Sequence, residues 1–386
     1  MITGSQLSVT AQACISSSGA ALAALAMLYA VTAWLAVRYR RAPAQCGRGA
    51  KPPVTVLKPL CGAEHDLYGC LRSFCDQDYP CFQIVFGVRD ALDPALAVVR
   101  RLQLEFPALE LQIAIDPTQH GSSAKVSNLI NMMPLARYDH LVVADSDVRV
   151  PPGYLAEVVA PLVDPGVGIV TCPYRGCPRT GLSSLLAALF INDWFMPSVR
   201  VAALLGSRSF AFGASIAIRR DALEGIGGFA SVADQLADDY RLGELTRRMG
   251  LRTVLSEVVV EHLLDERNFG DLVQHEVRWL RTIRAVRPLG YAFSFVTFSL
   301  PLAALGSLLA GGGRISLALL SITATARLML HSATRKPRTP LRQMWALPLG
   351  DTLAFGLWCW GFAARRVQWR HARYRVARDG SAHPLR

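Results

Sequence analysis

An α/β domain built on a mainly parallel sheet, with membrane helices before and after it, is the architecture this sequence predicts. Three observations predict it. No charged residue occurs before Arg38, and Ala20 to Val37 is almost wholly apolar, close to the length that spans a bilayer. From Pro53 to Val148, short β-forming runs alternate with amphipathic ones, the pattern of a parallel sheet covered on both faces. After Tyr291 long apolar stretches return. The 386 residues are 52% hydrophobic and only 18% charged, which leans toward membrane attachment.

Taken in order, residues 1–40 form the anchor. A cleaved signal peptide would carry its basic residues ahead of the apolar core, whereas Arg38, Arg40 and Arg41 follow it, so an uncleaved anchor with its N-terminus outside is expected. Residues 41–53, basic and containing Pro and Gly, read as a linker. The α/β domain is expected over 54–288. Its first half reads "PVTVLKPL" strand, "DLYGCLRSFCDQ" helix, "FQIVFGVRD" strand, "PALAVVRRLQLEF" helix, "LELQIAID" strand, "KVSNLINMMPLA" helix and "HLVVADSDV" strand. Leu182 to Gly206 is unusually apolar but carries Asn192, Asp193 and Arg200, and is expected to lie on the membrane surface. Residues 289–364 hold the C-terminal membrane segments: a hairpin of Tyr291–Ala310 and Ile315–Leu330 around "GGGR", then Trp345–Ala364, interrupted by Pro348 and Asp351 and read as re-entrant or interfacial because a full third pass would put the basic tail outside. Residues 365–386 are a basic tail.

The formal charge of +12 is nearly all Arg, since the only lysines are Lys51, Lys58, Lys125 and Lys336. Its arginines gather beside apolar segments, which suits the anionic inner side of a membrane and argues against a nucleic-acid partner. With the Ala-rich composition they point to a bacterial inner (cytoplasmic) membrane protein, multi-pass, with its α/β domain in the cytosol. Nine cysteines without a C-x-x-C pair read as free thiols.

Ligands of open α/β sheets bind beyond the carboxyl ends of the strands. Asp90, Asp116 and the pair Asp145 and Asp147 all fall there. Each alone fits an ordinary loop or turn; the series points to a site. Two carboxylates at one strand end suit a hard divalent cation, Mg²⁺ or Mn²⁺, completed by substrate phosphates and water. No GxxxxGK[ST] loop is present, so a diphosphate would have to be met by metal and side chains. Lys125 stands where a helix begins, which favours phosphate, although a solvated lysine would read the same. Asp238 and Asp239 open an amphipathic helix, either as N-cap residues or with one of them as a general base. Further on, His275, Arg278 and Trp279 share one helix face, which fits an interfacial belt or a sugar-diphosphate clamp.

Together the motifs "VTVLKPLCG", "VRDALDPA", "KVSNLINMM", "ADSDVRV", "FAFGASIAIRRDAL", "LADDYRLG" and "HEVRWLRTIR" resemble the ceramide glucosyltransferase-like branch of the inverting GT-A glycosyltransferases, most of all the bacterial members associated with hopanoid biosynthesis. The resemblance spans about Pro53 to Gly290 and the flanking membrane segments. It implies a GT-A (Rossmann-like) domain in which Asp90 meets the uracil or ribose, Asp145 and Asp147 form the D-x-D metal site, and Asp239 deprotonates the acceptor hydroxyl. Arg278 and Trp279 match the end of the (Q/R)xxRW motif, which holds the donor diphosphate and borders the acceptor. Its first position is His275 here, with Gln274 immediately before it. The implied substrates are a UDP-sugar, UDP-N-acetylglucosamine, and a membrane lipid, bacteriohopanetetrol. A ceramide or polysaccharide glycosyltransferase shares every motif, and a non-catalytic membrane binding protein is the distant alternative.

Overall fold

A computed structural model describes residues 4–39, 49, 51–179, 181–335, 341–363, 366–369, 372–376 and 382–385. In chain order it forms α1 (Gly4–Arg38), β1 (Val54–Pro59), α2 (Leu67–Cys75), β2 (Phe82–Val88), α3 (Ala95–Glu105), β3 (Glu110–Ile115), α4 (Ala124–Met132), β4 (His140–Ala144) and β5 (Val148–Arg149). Then come α5 (Tyr154–Val159), β6 (Val167–Thr171), β7 (Tyr174–Pro178), and α6 (Gly181–Leu189) and α7 (Met196–Leu204), which are joined by a π-helical turn, Phe190–Phe195. The remainder is β8 (Ser215–Arg219), α8 (Arg220–Gly225), α9 (Asp238–Arg248), β9 (Arg252–Leu255), β10 (Val260–Leu264), α10 (Phe269–Val286), α11 (Pro288–Phe293), α12 (Ser299–Leu309), α13 (Arg314–Thr334) and α14 (Ala346–Ala363), followed by β11 (Arg366–Trp369), β12 (Ala372–Val376) and β13 (Ala382–Leu385). Most of the linker, residues 40–48 and 50, and the rest of the basic tail lie outside the described residues.

The chain divides into two units: an α/β unit of residues 42–179, 207–265 and 366–386, and a helical unit of residues 1–41, 180–206 and 266–365. Within the 54–288 stretch read from the sequence, residues 180–206 and 266–288 group with the apolar helices.

In the α/β unit a seven-stranded sheet has the order β3-β2-β1-β4-β8-β6-β9. All pairings are parallel except those of β8, which runs antiparallel to both β4 and β6. Strands β1 and β2 are apolar almost without alternation because both faces are covered. One face packs on α4, where Val126, Leu129 and Met132 join Leu57, Val85, Leu141, Ile216 and Ile218 in the core. Ser123 caps α4 by accepting from the Val126 N–H at 3.3 Å. The consequence for a site is direct: β3, β2, β1 and β4 are parallel, so Asp116, Asp90 and Asp145 all follow strands that end on the same rim of the sheet. A second, three-stranded sheet, β5-β10-β7, carries the residues that follow the Asp145–Asp147 turn.

Among the described residues of the helical unit, three helices are long and apolar enough to cross a membrane: Ala11–Arg38, Gly181–Leu204 and Arg314–Thr334. The pair Pro288–Thr297 and Ser299–Leu309, bent by 69°, makes a fourth if it counts as one span. Helices α1 and α12 meet at glycines. A Cβ on Gly306 would lie 2.6 Å from Gly19 O, and one on Gly19 would lie 2.6 Å from Gly306 O, so only hydrogen fits at that crossing.

Two apolar stretches keep a carboxylate. The stretch Leu182 to Gly206, expected on a membrane surface, is helical over Gly181–Leu204, and 67% of its most apolar part is buried inside the protein. Its Asp193 is accommodated by partners on α13: His331 Nδ1 lies 3.0 Å from Oδ2, and Thr334 Oγ1 donates to Oδ1 at 3.2 Å. Likewise Trp345–Ala364 was expected to be interrupted, but α14 runs unbroken from Ala346 to Ala363. Pro348 sits in its first turn, where the missing N–H has no intrahelical partner to lose. Asp351 is held by a bidentate pair with Arg327, at 2.9 and 2.6 Å. The break falls instead in the first arm of the expected hairpin.

Candidate active site

Strand β4 ends at Ala144, and the next three residues turn the chain into β5. Asp145 is gripped from two sides. Its main-chain carbonyl accepts from Lys58 Nζ, and its Oδ1 lies 2.5 Å from Lys125 Nζ. Lys58 is fully buried at the end of β1, with Nζ 4.0 Å from the centre of the Phe74 ring. Burial pulls its pKa down to about 8, against the opposing pull of nearby carboxylates that include Asp145 and Asp147. Between the two aspartates, Ser146 donates to Glu64, in the loop after β1.

Asp147 Oδ2 lies 3.0 Å from His262 Nε2 on β10, while Oδ1 is buried with no hydrogen-bond partner. Burial alone would raise the Asp147 carboxyl, but His262, Lys58 and Lys125 outweigh it and hold the group below the usual carboxylate range. A buried carboxylate oxygen held ionised and left without a donor fits a cation. Asp145 and Asp147 are the carboxylates at this strand end, oxygen donors of the kind Mg²⁺ and Mn²⁺ take, while His262 Nε2 is occupied by Asp147. Among the described residues no cluster of three or more His, Cys, Asp or Glu is already gathered as a metal centre.

Asp239 belongs to the same group. The N-terminus of α9 has Ala237 as its cap residue with no side-chain cap bond, so neither Asp238 nor Asp239 is used as an N-cap. Asp239 Oδ2 instead accepts from the Gly213 N–H at 2.7 Å, and Oδ1 from the Tyr240 N–H at 2.7 Å. A Cβ on Gly213 would stand 3.3 Å from Asp239 Oδ2 and 3.4 Å from Lys125 Nζ, so both side chains converge on this stretch of main chain. Burial, then the charge of Asp238, raises the Asp239 carboxyl to about 6. Asp238 is also raised, chiefly by burial. For Lys125, burial favours the neutral amine, yet Asp145, Asp238 and Asp239 more than reverse it and the lysine stays charged. One ammonium thus serves three carboxylates.

Asp90, exposed after β2, accepts from the Leu92 N–H at 2.9 Å, and Asp116, after β3, from the Thr118 N–H at 2.8 Å. Both are turn-forming contacts on the rim that also carries Asp145. His275, Arg278 and Trp279 lie on α10 of the helical unit, half-buried on one face. His275 Nδ1 is 2.9 Å from Glu266 Oε1, and the His275 and Trp279 rings are 6.2 Å apart. The first position of the R-W motif is therefore an imidazole fixed by a buried carboxylate, while Gln274 faces solvent.

The α/β unit thus joins Lys125, Asp145, Asp147 and Asp239 in one group, and α10 presents the other three as a set. Sequence reading missed Lys58, Gly213 and His262. Lys58 carries a legible signal, a cation inside the otherwise apolar run "VTVLKPL". His262 carries none, being 115 residues from its partner Asp147.

The chain matches the family described as Glycosyl transferase family 21 over residues 19–382. It is 26% identical over 208 residues to ceramide glucosyltransferase 1 of Caenorhabditis elegans, covering 53% of this chain and 44% of that protein. It is 34% identical over 110 residues to the ceramide glucosyltransferase of Komagataella phaffii, covering 28% and 22%. The matches thus span less than half the length of these two relatives. Among solved structures it is similar to the mannosyltransferase PcManGT from Pyrobaculum calidifontis, solved with GDP-Man and Mn²⁺, with a TM-score of 0.52 and 23% identity over 91% of this chain and 95% of that one. At that identity the likeness establishes the fold, a GT-A-like α/β arrangement.

Proposed function

The chain belongs to glycosyl transferase family 21, and from that premise we propose that it transfers a sugar, with inversion, from a UDP-sugar to a hydroxyl of a membrane lipid. One observation carries the chemistry: Asp239, raised to about 6, faces Gly213 and Lys125 in the same group as Asp145. A carboxylate with that pKa is ionised at neutral pH and basic enough to take a proton from an attacking hydroxyl. A single displacement from the face opposite the leaving UDP inverts the anomeric carbon.

A divalent cation would be held by Asp145 and Asp147 with His262 beside them, and when bound it offsets the charge that grows on the departing UDP. Lys58 holds the main chain of Asp145 by donating to its carbonyl. Lys125 sits where a donor phosphate could draw it from Asp145. Asp90 is the proposed contact to uracil or ribose. Arg278 and Trp279 are proposed for the diphosphate and the acceptor border, and His275, fixed by Glu266, for orienting them.

The donor we propose is UDP-N-acetylglucosamine and the acceptor bacteriohopanetetrol, both on the motif resemblance. Ceramide is the second reading, favoured by the ceramide glucosyltransferases among the relatives. The setting we propose is a multi-pass protein of a bacterial inner membrane with its α/β unit in the cytosol, on the apolar helices and arginine placement.

The test is UDP release by the purified full chain with Mg²⁺ or Mn²⁺, across a panel of UDP-sugars, with a polyhydroxylated hopanoid or ceramide, beside Asp239→Asn. UDP-N-acetylglucosamine turnover that requires the hopanoid and vanishes in the variant supports the whole assignment. Turnover on ceramide keeps the mechanism and replaces the acceptor. No turnover with any pair in folded protein sinks the transferase reading.

A further inference from the structure

Six consecutive residues of the helical unit, Phe190–Phe195, wind as a π-helix between α6 and α7. A π turn adds a residue to the ordinary helical count and re-aims the side chains around it, and such turns recur at functional sites. Here its side chains are pinned on different sides. Asp193 is buried between His331 Nδ1, 3.0 Å from Oδ2, and Thr334, which donates to Oδ1 at 3.2 Å, both on α13. Trp194 donates its indole N–H to Thr297 at 2.7 Å and stacks on Phe298, with ring centres 5.1 Å apart at 15°. Phe195 meets Trp279 of α10 edge-on at 4.9 Å, and Phe190 meets it at 6.5 Å. The turn therefore ties a buried acidic residue on one side to the indole of the R-W motif on the other.

A carboxylate among apolar helices is costly, and packing alone gives no reason to keep one there. A π turn has one: it must be held open against relaxing to an ordinary helix, and two directed bonds to Asp193 oppose that relaxation. We propose that Asp193 is a positioning residue for Trp279. Its bonds to His331 and Thr334 fix the π turn, the turn sets Phe190 and Phe195, and those rings set the plane of the Trp279 indole. This rests on the reading that Trp279 borders the reacting groups. In an ordinary helix the two phenyl rings would shift around the axis by a large fraction of a turn, and the indole would lose its edge contacts.

The experiment uses the full chain in detergent or nanodiscs. Turnover of the lipid acceptor is compared for wild type, Asp193→Ala, Trp279→Ala and the double variant, with the affinity for UDP–Mn²⁺ and acrylamide quenching of the emission that Trp279→Phe removes. Expected for Asp193→Ala is a kcat at least tenfold lower, UDP–Mn²⁺ affinity unchanged within twofold, and easier quenching of the Trp279 emission. In the Trp279→Ala background the same substitution should cost no more than twofold further, because its route to the chemistry is already gone. Full multiplication of the two losses, or unchanged quenching, overturns the proposal. If Asp193→Ala fails to fold, Thr334→Val removes one of the two bonds and carries the comparison, with a smaller loss of the same kind expected. Absence of turnover in the wild type would overturn the transferase reading alone, since quenching still judges whether Asp193 fixes the indole.

Discussion

Lys125 and Asp239 show how far individual side chains in the rim cluster depend on one another. As a base, Asp239 must be ionised, so the rate should be low at pH 5, rise through about 6 and level off above 7. Asp239→Asn should lower turnover by about 10²–10⁴-fold and leave UDP–Mn²⁺ binding intact, which isothermal titration can read. The same shift has a stability sign. A carboxyl raised in the folded state contributes stability that is present below its unfolded pKa and lost as pH rises through about 6. Melting points of Asp239→Asn should therefore fall less than those of the wild type between pH 5 and 7.5. Lys58 acts differently, through the Asp145 carbonyl. Lys58→Met should weaken Mn²⁺ binding in the presence of UDP by roughly tenfold, about 1.4 kcal/mol; unchanged affinity would remove Lys58 from the metal-supporting group.

Strands and helices differ in how much of them the sequence revealed. The strand ends bearing Asp90, Asp116 and Asp145 are legible because each closes a β-branched run with a carboxylate, and the parallel order follows from the alternation with helices. Charged residues inside apolar stretches are misleading, because their compensation lies elsewhere: Asp193 finds His331 138 residues later, and Asp351 finds Arg327 one helix back. A reading by local hydropathy counts the charge and cannot see the partner. The Arg327–Asp351 pair makes a further prediction. Removing one partner leaves a buried charge, so Asp351→Ala should cost about 3–5 kcal/mol, while Arg327→Met with Asp351→Leu should cost far less. Thermal midpoints in detergent would separate the two, and an equally damaging double variant would show that the pair does more than compensate itself. The α1–α12 crossing is simpler: Gly306→Val puts carbon where backbone atoms lie 2.6 Å away, and should lower the midpoint by several degrees.

Across the whole molecule, the helices that can span a bilayer predict that the chain stays with the membrane fraction in alkaline carbonate and leaves it only with detergent; release by carbonate alone would contradict the spanning reading. The interleaving of the two units has another consequence, for biosynthesis. The sheet order places β8 between β4 and β6, and β8 emerges only after the Gly181–Leu204 helix has been made. A ribosome adding roughly 5–20 residues per second needs about 4–15 s to go from the end of β4 to the end of β8. Throughout that interval the nascent half-sheet has a bare edge at β4, while the apolar helix Gly181–Leu204 is being made. If residues 181–204 cross the bilayer, their delivery to the membrane is a step on the folding route of the α/β unit. A slowed or chaperone-poor translocation system should expose β4 to strand pairing with other chains before it damages anything in the bilayer.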